Sequence, residues 1–223
     1  MKVGLIYTVS TPAMRQYMET RMRAILGEET QCLVLAEPEI LGEVTRTGEI
    51  PPDAVRRLLK LYLHAMDEGC EAILNVCSSV SPIAEAMDAL NPYLGAPVVS
   101  IDAAMCAKAA TMDGPLAVVA TLQTALISTA NRIASCARRV GRETNMTQIL
   151  IEGGFASETL KEAILESVRA QAGDARAVVF SQASMATVAE NVQKELGLPV
   201  LTSPDFGFRE IKRLKMQQAN KNK

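Results

Sequence analysis

Two short segments place reactive or hydrogen-bonding side chains directly after a buried apolar run. They are Cys77-Ser78-Ser79 and Gln182-Ala183-Ser184. A cysteine thiol can carry a proton or attack an unsaturated or acyl carbon. A glutamine amide does not exchange a proton as an acid or base at neutral pH. The first segment therefore predicts thiol chemistry at Cys77, and the second predicts hydrogen bonding.

Both segments belong to one longer pattern that occurs twice. Residues 73–85, ILNVCSSVSPIAE, recur as residues 178–190, VVFSQASMATVAE, which aligns Cys77 with Gln182. GLIYTVST, from residue 4, parallels AVVATLQT, from residue 117, and PVVS, from residue 97, parallels PVLT, from residue 199. The three matches keep their order, with offsets between 102 and 113 residues. They predict two similar halves, with Cys77 and Gln182 on opposite walls of one cleft.

Strands alternate regularly with longer helical patterns. Strands are expected at residues 3–8, 31–35, 116–120, 147–151 and 177–181, and helices at residues 12–26, 51–68, 125–139, 156–171 and 184–196. This alternation predicts an α/β fold of two pseudo-symmetric parallel-sheet domains, with the active site in the cleft between them. The last helix is expected to return to the first half. The domains would be residues 1–99 plus 205–223, carrying Cys77, and residues 100–204, carrying Gln182.

Four predicted strand ends form a candidate substrate site, because ligands of parallel sheets bind beyond the carboxyl ends of the strands. The candidate binding residues are Thr8, Ser10, Ser78, Ser79, Thr121, Gln123, Thr124, Gln182, Ala183 and Ser184. These four loops contain no Lys or Arg. A small carboxylate would then be held mainly by backbone N–H groups and hydroxyls, with the helix dipole behind them. The hydroxyl residues Thr8, Ser10, Thr121 and Thr124 are equally suited to cap the helices that follow.

Composition argues against several other classes of protein. The 223 residues are 48% hydrophobic with a net charge of −2, which suits a buried core and not a nucleic-acid surface. No apolar run reaches the roughly 18 residues that span a membrane. The five cysteines show no metal-binding spacing and suit reduced thiols in the cytoplasm. The first residues resemble a strand rather than a signal peptide.

A methionine stripe, Met14, Met18 and Met22, is typical of a core or dimer contact. We expect a homo-oligomer, a dimer or larger.

The order of these motifs resembles the aspartate/glutamate racemase superfamily, which includes hydantoin and allantoin racemases, maleate isomerases and arylmalonate decarboxylases. The resemblance covers almost the whole chain. It implies a two-domain α/β fold that uses no metal and no organic cofactor. It also implies that a cysteine from each half faces the substrate α-carbon, one removing a proton and the other returning it.

Under this resemblance Cys77 matches the first-half cysteine, and Gln182 occupies the place of the second. The pattern Leu-Gly-Cys-Ala-Gly-Met-Ala, common there in hydantoin-racemase-like members, reads FSQASMA in this chain. Two-base racemisation is therefore not expected. Three roles remain open for a lone Cys77: proton donor after decarboxylation, nucleophile, and proton shuttle on one face in an isomerase. A silent carboxylate-binding protein is the alternative. We expect the helix after Cys77 to lower the thiol pKa.

Overall fold

The computed structural model describes residues 1–152 and 157–221. It divides into two compact units, Met1–Ile101 with Pro204–Lys223, and Asp102–Ser203. The predicted helix start at Ala156 and the last two residues lie outside the described residues.

Strands and helices alternate along the chain. In order they are β1 Lys2–Tyr7, α1 Pro12–Leu26, β2 Gln31–Ala36, α2 Pro38–Thr47, α3 Pro52–Asp67, β3 Ala72–Asn75, α4 Ser81–Ala86, β4 Val98–Ser100, α5 Ala103–Ala109, β5 Leu116–Ala120, α6 Gln123–Arg139, β6 Met146–Leu150, α7 Ser157–Gln171, β7 Ala177–Phe180, α8 Ala189–Leu196, β8 Val200–Leu201 and α9 Ser203–Lys221. No helix in the described part of the chain is both long and apolar enough to cross a membrane.

Each unit contains a four-stranded parallel sheet with the same topology. The strand order is β2-β1-β3-β4 in the first unit and β6-β5-β7-β8 in the second. The predicted α/β fold with two parallel sheets is confirmed.

The strand registers also agree with the sequence repeat. Ile73 of β3 pairs with Gly4 on one side and Val98 on the other. Val178 of β7 pairs in the same way with Ala117 and Val200. All three aligned segments therefore occupy corresponding positions in their sheets, and Cys77 and Gln182 follow corresponding strands.

The core of the first unit explains why its central strands are apolar on both faces. The strand residues Ile6 and Ile73 are fully buried with Leu58 and Tyr62 of α3. Met18 and Met22 of α1 are also fully buried, so these two methionines belong to the core rather than to an exposed dimer contact. Burying a large aliphatic side chain contributes roughly 1.5–3 kcal/mol. The homo-oligomer expected from the sequence stays a prediction.

The last helix, α9, packs within the first unit. The guanidinium of Arg21 donates to Asp205 at 2.7 Å through Nε, and Lys212 Nζ donates to the Ile25 carbonyl at 2.9 Å. Gly207 lies so close to β3 that a Cβ there would meet Leu74 at 3.0 Å and Ile101 at 3.1 Å. A helix with this glycine can therefore lie directly against the strand that leads to Cys77.

Three local features differ from the sequence expectation, and one of them is helix α5, Ala103–Ala109, which was not expected. The helices after Cys77 and Gln182 begin as 3₁₀ turns, Ser78–Val80 and Ala183–Val188, so the α-helix predicted from residue 184 starts only at Ala189. Helix α2 was not expected. It buries Ile40 and Val44, one turn apart, and its ten residues carry too short an apolar stripe for a confident periodic signal.

Candidate active site

Cys77 lies two residues beyond the end of β3, where the chain enters the 3₁₀ turn. Its backbone is extended, with φ −101° and ψ 113°. The side-chain amide of Asn75 donates to the Cys77 carbonyl at 3.0 Å and so holds the turn. Within the described residues, Asn75 Oδ1 and Ser78 Oγ are buried without a hydrogen-bond partner. The turn therefore places a half-buried thiol next to unsatisfied polar atoms.

The Cys77 sulfur accepts hydrogen bonds from four donors. They are the hydroxyls of Thr8 and Ser79 and the backbone N–H groups of Ser79 and Val80. Burial raises the thiol pKa above its ordinary value and outweighs the four hydrogen bonds, each of which lowers it. The expected lowering of the pKa was therefore wrong. The 3₁₀ turn supplies hydrogen-bond donors, but the loss of hydration destabilises the thiolate more than these hydrogen bonds stabilise it.

This arrangement suits a thiol that gives up a proton. In the resting state a raised pKa keeps Cys77 protonated near neutral pH. Once the proton has left, the same four donors stabilise the thiolate. The arrangement therefore favours Cys77 as a proton donor. A nucleophile or a base would need a thiolate already in the resting state.

Gln182 has the corresponding position in the second unit, two residues beyond the end of β7. Its backbone is also extended, with φ −116° and ψ 137°, and it precedes the second 3₁₀ turn. Its side-chain oxygen Oε1 accepts from the Thr121 backbone N–H at 2.6 Å and from the Thr121 hydroxyl at 3.1 Å. This site has the same backbone frame but no ionisable group.

The predicted binding residues differ in exposure and contacts. Thr8, Ser78, Ser79 and Ala183 are buried, whereas Ser10, Thr121, Thr124, Gln182 and Ser184 are half-buried and Gln123 is exposed. Thr8 and Ser79 contact the Cys77 sulfur, and Thr121 contacts Gln182.

Helix capping falls to other residues than those expected. Thr11 caps α1 by accepting from the Met14 N–H at 3.2 Å. Leu122 precedes α6 without a side-chain hydrogen bond. None of Thr8, Ser10, Thr121 and Thr124 therefore occupies the N-cap position of α1 or α6.

Two residues near the first site were missed by the sequence argument. Arg15, in the first turn of α1, donates through Nε to Ser10 Oγ at 2.8 Å, so a guanidinium reaches a loop that itself has no cation. Its position four residues after Thr11, one helical turn on, was the available signal. Tyr62 of α3 is fully buried, and its hydroxyl has no partner in the described part of the chain. Burial raises the Tyr62 pKa, and charge on Cys77 raises it further.

Among the described residues, no group of three or more His, Cys, Asp and Glu side chains is arranged to hold a metal ion.

The family model for Asp/Glu/hydantoin racemase matches residues 3–211. This match extends over most of the length of both units. The chain belongs to the Asp/Glu/hydantoin racemase family, and the resemblance seen in the sequence is confirmed.

Solved structures with the same fold include two racemases. Allantoin racemase from Klebsiella pneumoniae is 17% identical with a TM-score of 0.66, over 98% of this chain and 89% of that one. Glutamate racemase from Francisella tularensis subsp. tularensis SCHU S4, in complex with D-glutamate, is 10% identical with a TM-score of 0.64, over 98% and 82%.

A third similar structure is a decarboxylase. A mutant of arylmalonate decarboxylase in a sulfate-associated form is 18% identical with a TM-score of 0.64, over 96% of this chain and 93% of that one. At these identities the likeness shows a shared fold. No curated protein matches the sequence significantly.

Proposed function

We propose that this protein is an isomerase or a decarboxylase-like lyase that acts on a small carboxylic acid through Cys77, without a metal or organic cofactor, in the cytoplasm. The observation that carries the proposal is the Cys77 sulfur with its four hydrogen-bond donors at the end of β3. Family membership supports this class of chemistry.

The source and the destination of each proton favour proton donation by Cys77. In a decarboxylation, the bond between the α-carbon and the leaving carboxylate breaks, carbon dioxide departs, and the electron pair stays on the substrate as an enediolate. The Cys77 S–H bond then gives its proton to the α-carbon, and the thiolate left behind is held by Thr8, Ser79 and Val80. Water returns a proton to the sulfur. In an isomerisation the Cys77 S–H would first donate its proton to one substrate carbon, and the resulting thiolate would then take a proton from another substrate carbon on the same face, which restores the thiol.

In this account the carboxylate is held by the charge of Arg15 and by a hydroxyl donor. Arg15 keeps its terminal nitrogens beyond the Nε bond to Ser10, and a guanidinium recognises carboxylates well. The 3₁₀ turn after Cys77 offers the buried Ser78 hydroxyl, which has no hydrogen-bond partner in the described part of the chain. In this account Thr121, Gln123, Thr124, Ala183 and Ser184 supply the corresponding contacts of the second unit.

A silent carboxylate-binding protein is the second candidate. The raised pKa of Cys77 favours this candidate over an enzyme whose cysteine must be a thiolate in the resting state. In that case the strand-end sites would bind the ligand without breaking a bond. Both candidates share the binding site and differ only in turnover.

A screen in deuterated water separates the two candidates. Malonates, maleate, hydantoins, aspartate and glutamate are incubated with the wild-type protein, and deuterium incorporation or loss of carbon dioxide is followed by NMR. Turnover of one of these compounds is the expected result. Binding without exchange or bond cleavage in any of them would establish the silent alternative.

A further inference from the structure

The hydrogen bonds at Gln182 fix the orientation of its amide. A backbone N–H can only donate, and the Thr121 N–H points at Gln182 Oε1 at 2.6 Å. The oxygen of the amide must therefore face Thr121, because the reverse orientation would place the amide NH₂ against a backbone N–H that can only donate. The Thr121 hydroxyl donates to the same oxygen at 3.1 Å. Both acceptor positions of Oε1 are thus used inside the protein.

The opposite end of this amide is the Nε2 group, which carries two hydrogens. In residues 1–152 and 157–221, the hydrogen bonds of Gln182 all involve Oε1. Gln182 is half-buried, so its side chain is neither enclosed in the core nor fully exposed to solvent. The side chain therefore presents two oriented donors at the carboxyl end of β7.

We propose that Gln182 is a substrate-positioning residue whose NH₂ group donates hydrogen bonds to a carboxylate oxygen of the ligand. This inference rests on the proposed function, since it names the group that binds that carboxylic acid. It gives Gln182 a role of its own, different from a lost proton carrier. The role is specificity. Two N–H donors bind a ligand that has an anionic oxygen more tightly than one that lacks it, because the donors stay unpaired with the second ligand.

Gln182→Glu separates donor loss from structural damage. A glutamate keeps oxygens that accept from the Thr121 N–H and hydroxyl, but it has no NH₂ group and adds a negative charge. Gln193→Glu is the matched control, because Gln193 Oε1 likewise accepts from a backbone N–H, that of Val200 at 3.1 Å, at the opposite end of the neighbouring strand. Gln182→Met removes donor and acceptor without adding charge.

The test measures affinity for malonate, maleate, L-aspartate and L-glutamate by calorimetry. We expect Gln182→Glu to weaken binding of the preferred compound at least about tenfold, with Gln182→Met also weaker and Gln193→Glu equal to wild type. In ¹⁵N-labelled wild type, the side-chain NH₂ signals of Gln182 should move on binding.

Failure of the inference and failure of the proposed function give different results. If wild type and Gln182→Glu bind the same compound equally, and the NH₂ signals do not move, Gln182 is not a ligand donor. If wild type binds none of the four compounds, the proposed substrate class itself is wrong.

Discussion

Thr8 and Thr121 occupy corresponding positions 113 residues apart, and each donates its hydroxyl to the side chain that follows the third strand of its own unit. Thr8 donates to the sulfur of Cys77, and Thr121 donates to the amide oxygen of Gln182. The same donor therefore serves an ionisable acceptor in one unit and a neutral acceptor in the other. The repeat preserves the backbone frame and the threonine donor, while Cys77 is ionisable and Gln182 is not.

Thr8→Val should make the Cys77 thiolate harder to form. The hydroxyl of Thr8 lowers the thiol pKa, so its removal raises that pKa further. A hydrogen bond to a charged group contributes roughly 1.5–3 kcal/mol, and near neutral pH the thiolate fraction sets the alkylation rate. We expect alkylation of Cys77 by iodoacetamide to slow by about tenfold or more, measured by peptide mass spectrometry.

Thr8→Ser is the control for that substitution, because it keeps the hydroxyl and removes only a methyl group. Its alkylation rate should stay close to that of wild type. If Thr8→Val and Thr8→Ser react at the same rate, the hydroxyl does not stabilise the thiolate.

Cys77→Ala should abolish turnover, whereas Gln182→Ala should leave part of it. Only the thiol can carry a proton, and a well-placed general acid contributes roughly 10²- to 10⁴-fold to the rate. Deuterium incorporation into the compound identified by the screen measures both variants, and unchanged thermal unfolding shows that each has folded. Cys32→Ser, on β2, is the matched cysteine control and should retain wild-type activity. Activity of Cys77→Ala equal to that of wild type would remove Cys77 from the mechanism.

The wild-type protein should not interconvert the enantiomers of aspartate or glutamate at an enzymatic rate, because the amide of Gln182 cannot return a proton. Gln182→Cys should restore at most a trace of α-proton exchange. Thr121 would face the new sulfur, but Ala183 and Ser184 need not tune the pKa of a thiol that the native protein lacks. Polarimetry and NMR in deuterated water measure these two reactions. Robust racemisation of either amino acid by the unmodified protein would falsify the single-cysteine account.

Much of the fold could be predicted from the sequence, because the central strands are buried on both faces and leave apolar runs that repeat. The alignment of Ile73 with Val178 agrees with the strand registers of the structure, since these residues pair with the aligned partners Gly4 and Ala117. The site was less predictable. The pKa of Cys77 depends on how much water burial removes, and the contact of Arg15 with Ser10 depends on a helix direction that spacing does not reveal.

The packing of α9 against β3 gives a stability prediction. Gly207→Ala should destabilise the protein by about 1–3 kcal/mol, because a Cβ would press on Leu74 and on the Ile101 backbone at 3.2 Å. Gly42→Ala in α2 is the matched control, since nothing lies within 4 Å of its Cβ position. That substitution should stabilise by about 0.5–1 kcal/mol through helix propensity. Chemical denaturation measures both. A Gly207→Ala protein as stable as Gly42→Ala would show that α9 does not lie tightly on the strand leading to Cys77.

Alkylation of Cys77 in the presence of ligand tests the central claim, that this thiol meets a small carboxylic acid. Peptide mass spectrometry resolves the five cysteines after exposure to iodoacetamide across a pH series, with and without malonate, maleate, aspartate or glutamate. The account predicts that Cys77 reacts slowly near neutral pH and faster as pH rises through its raised pKa, and that one of these acids slows its reaction while Cys32 reacts as before. Alkylation of Cys77 at an unchanged rate with every acid would contradict the account.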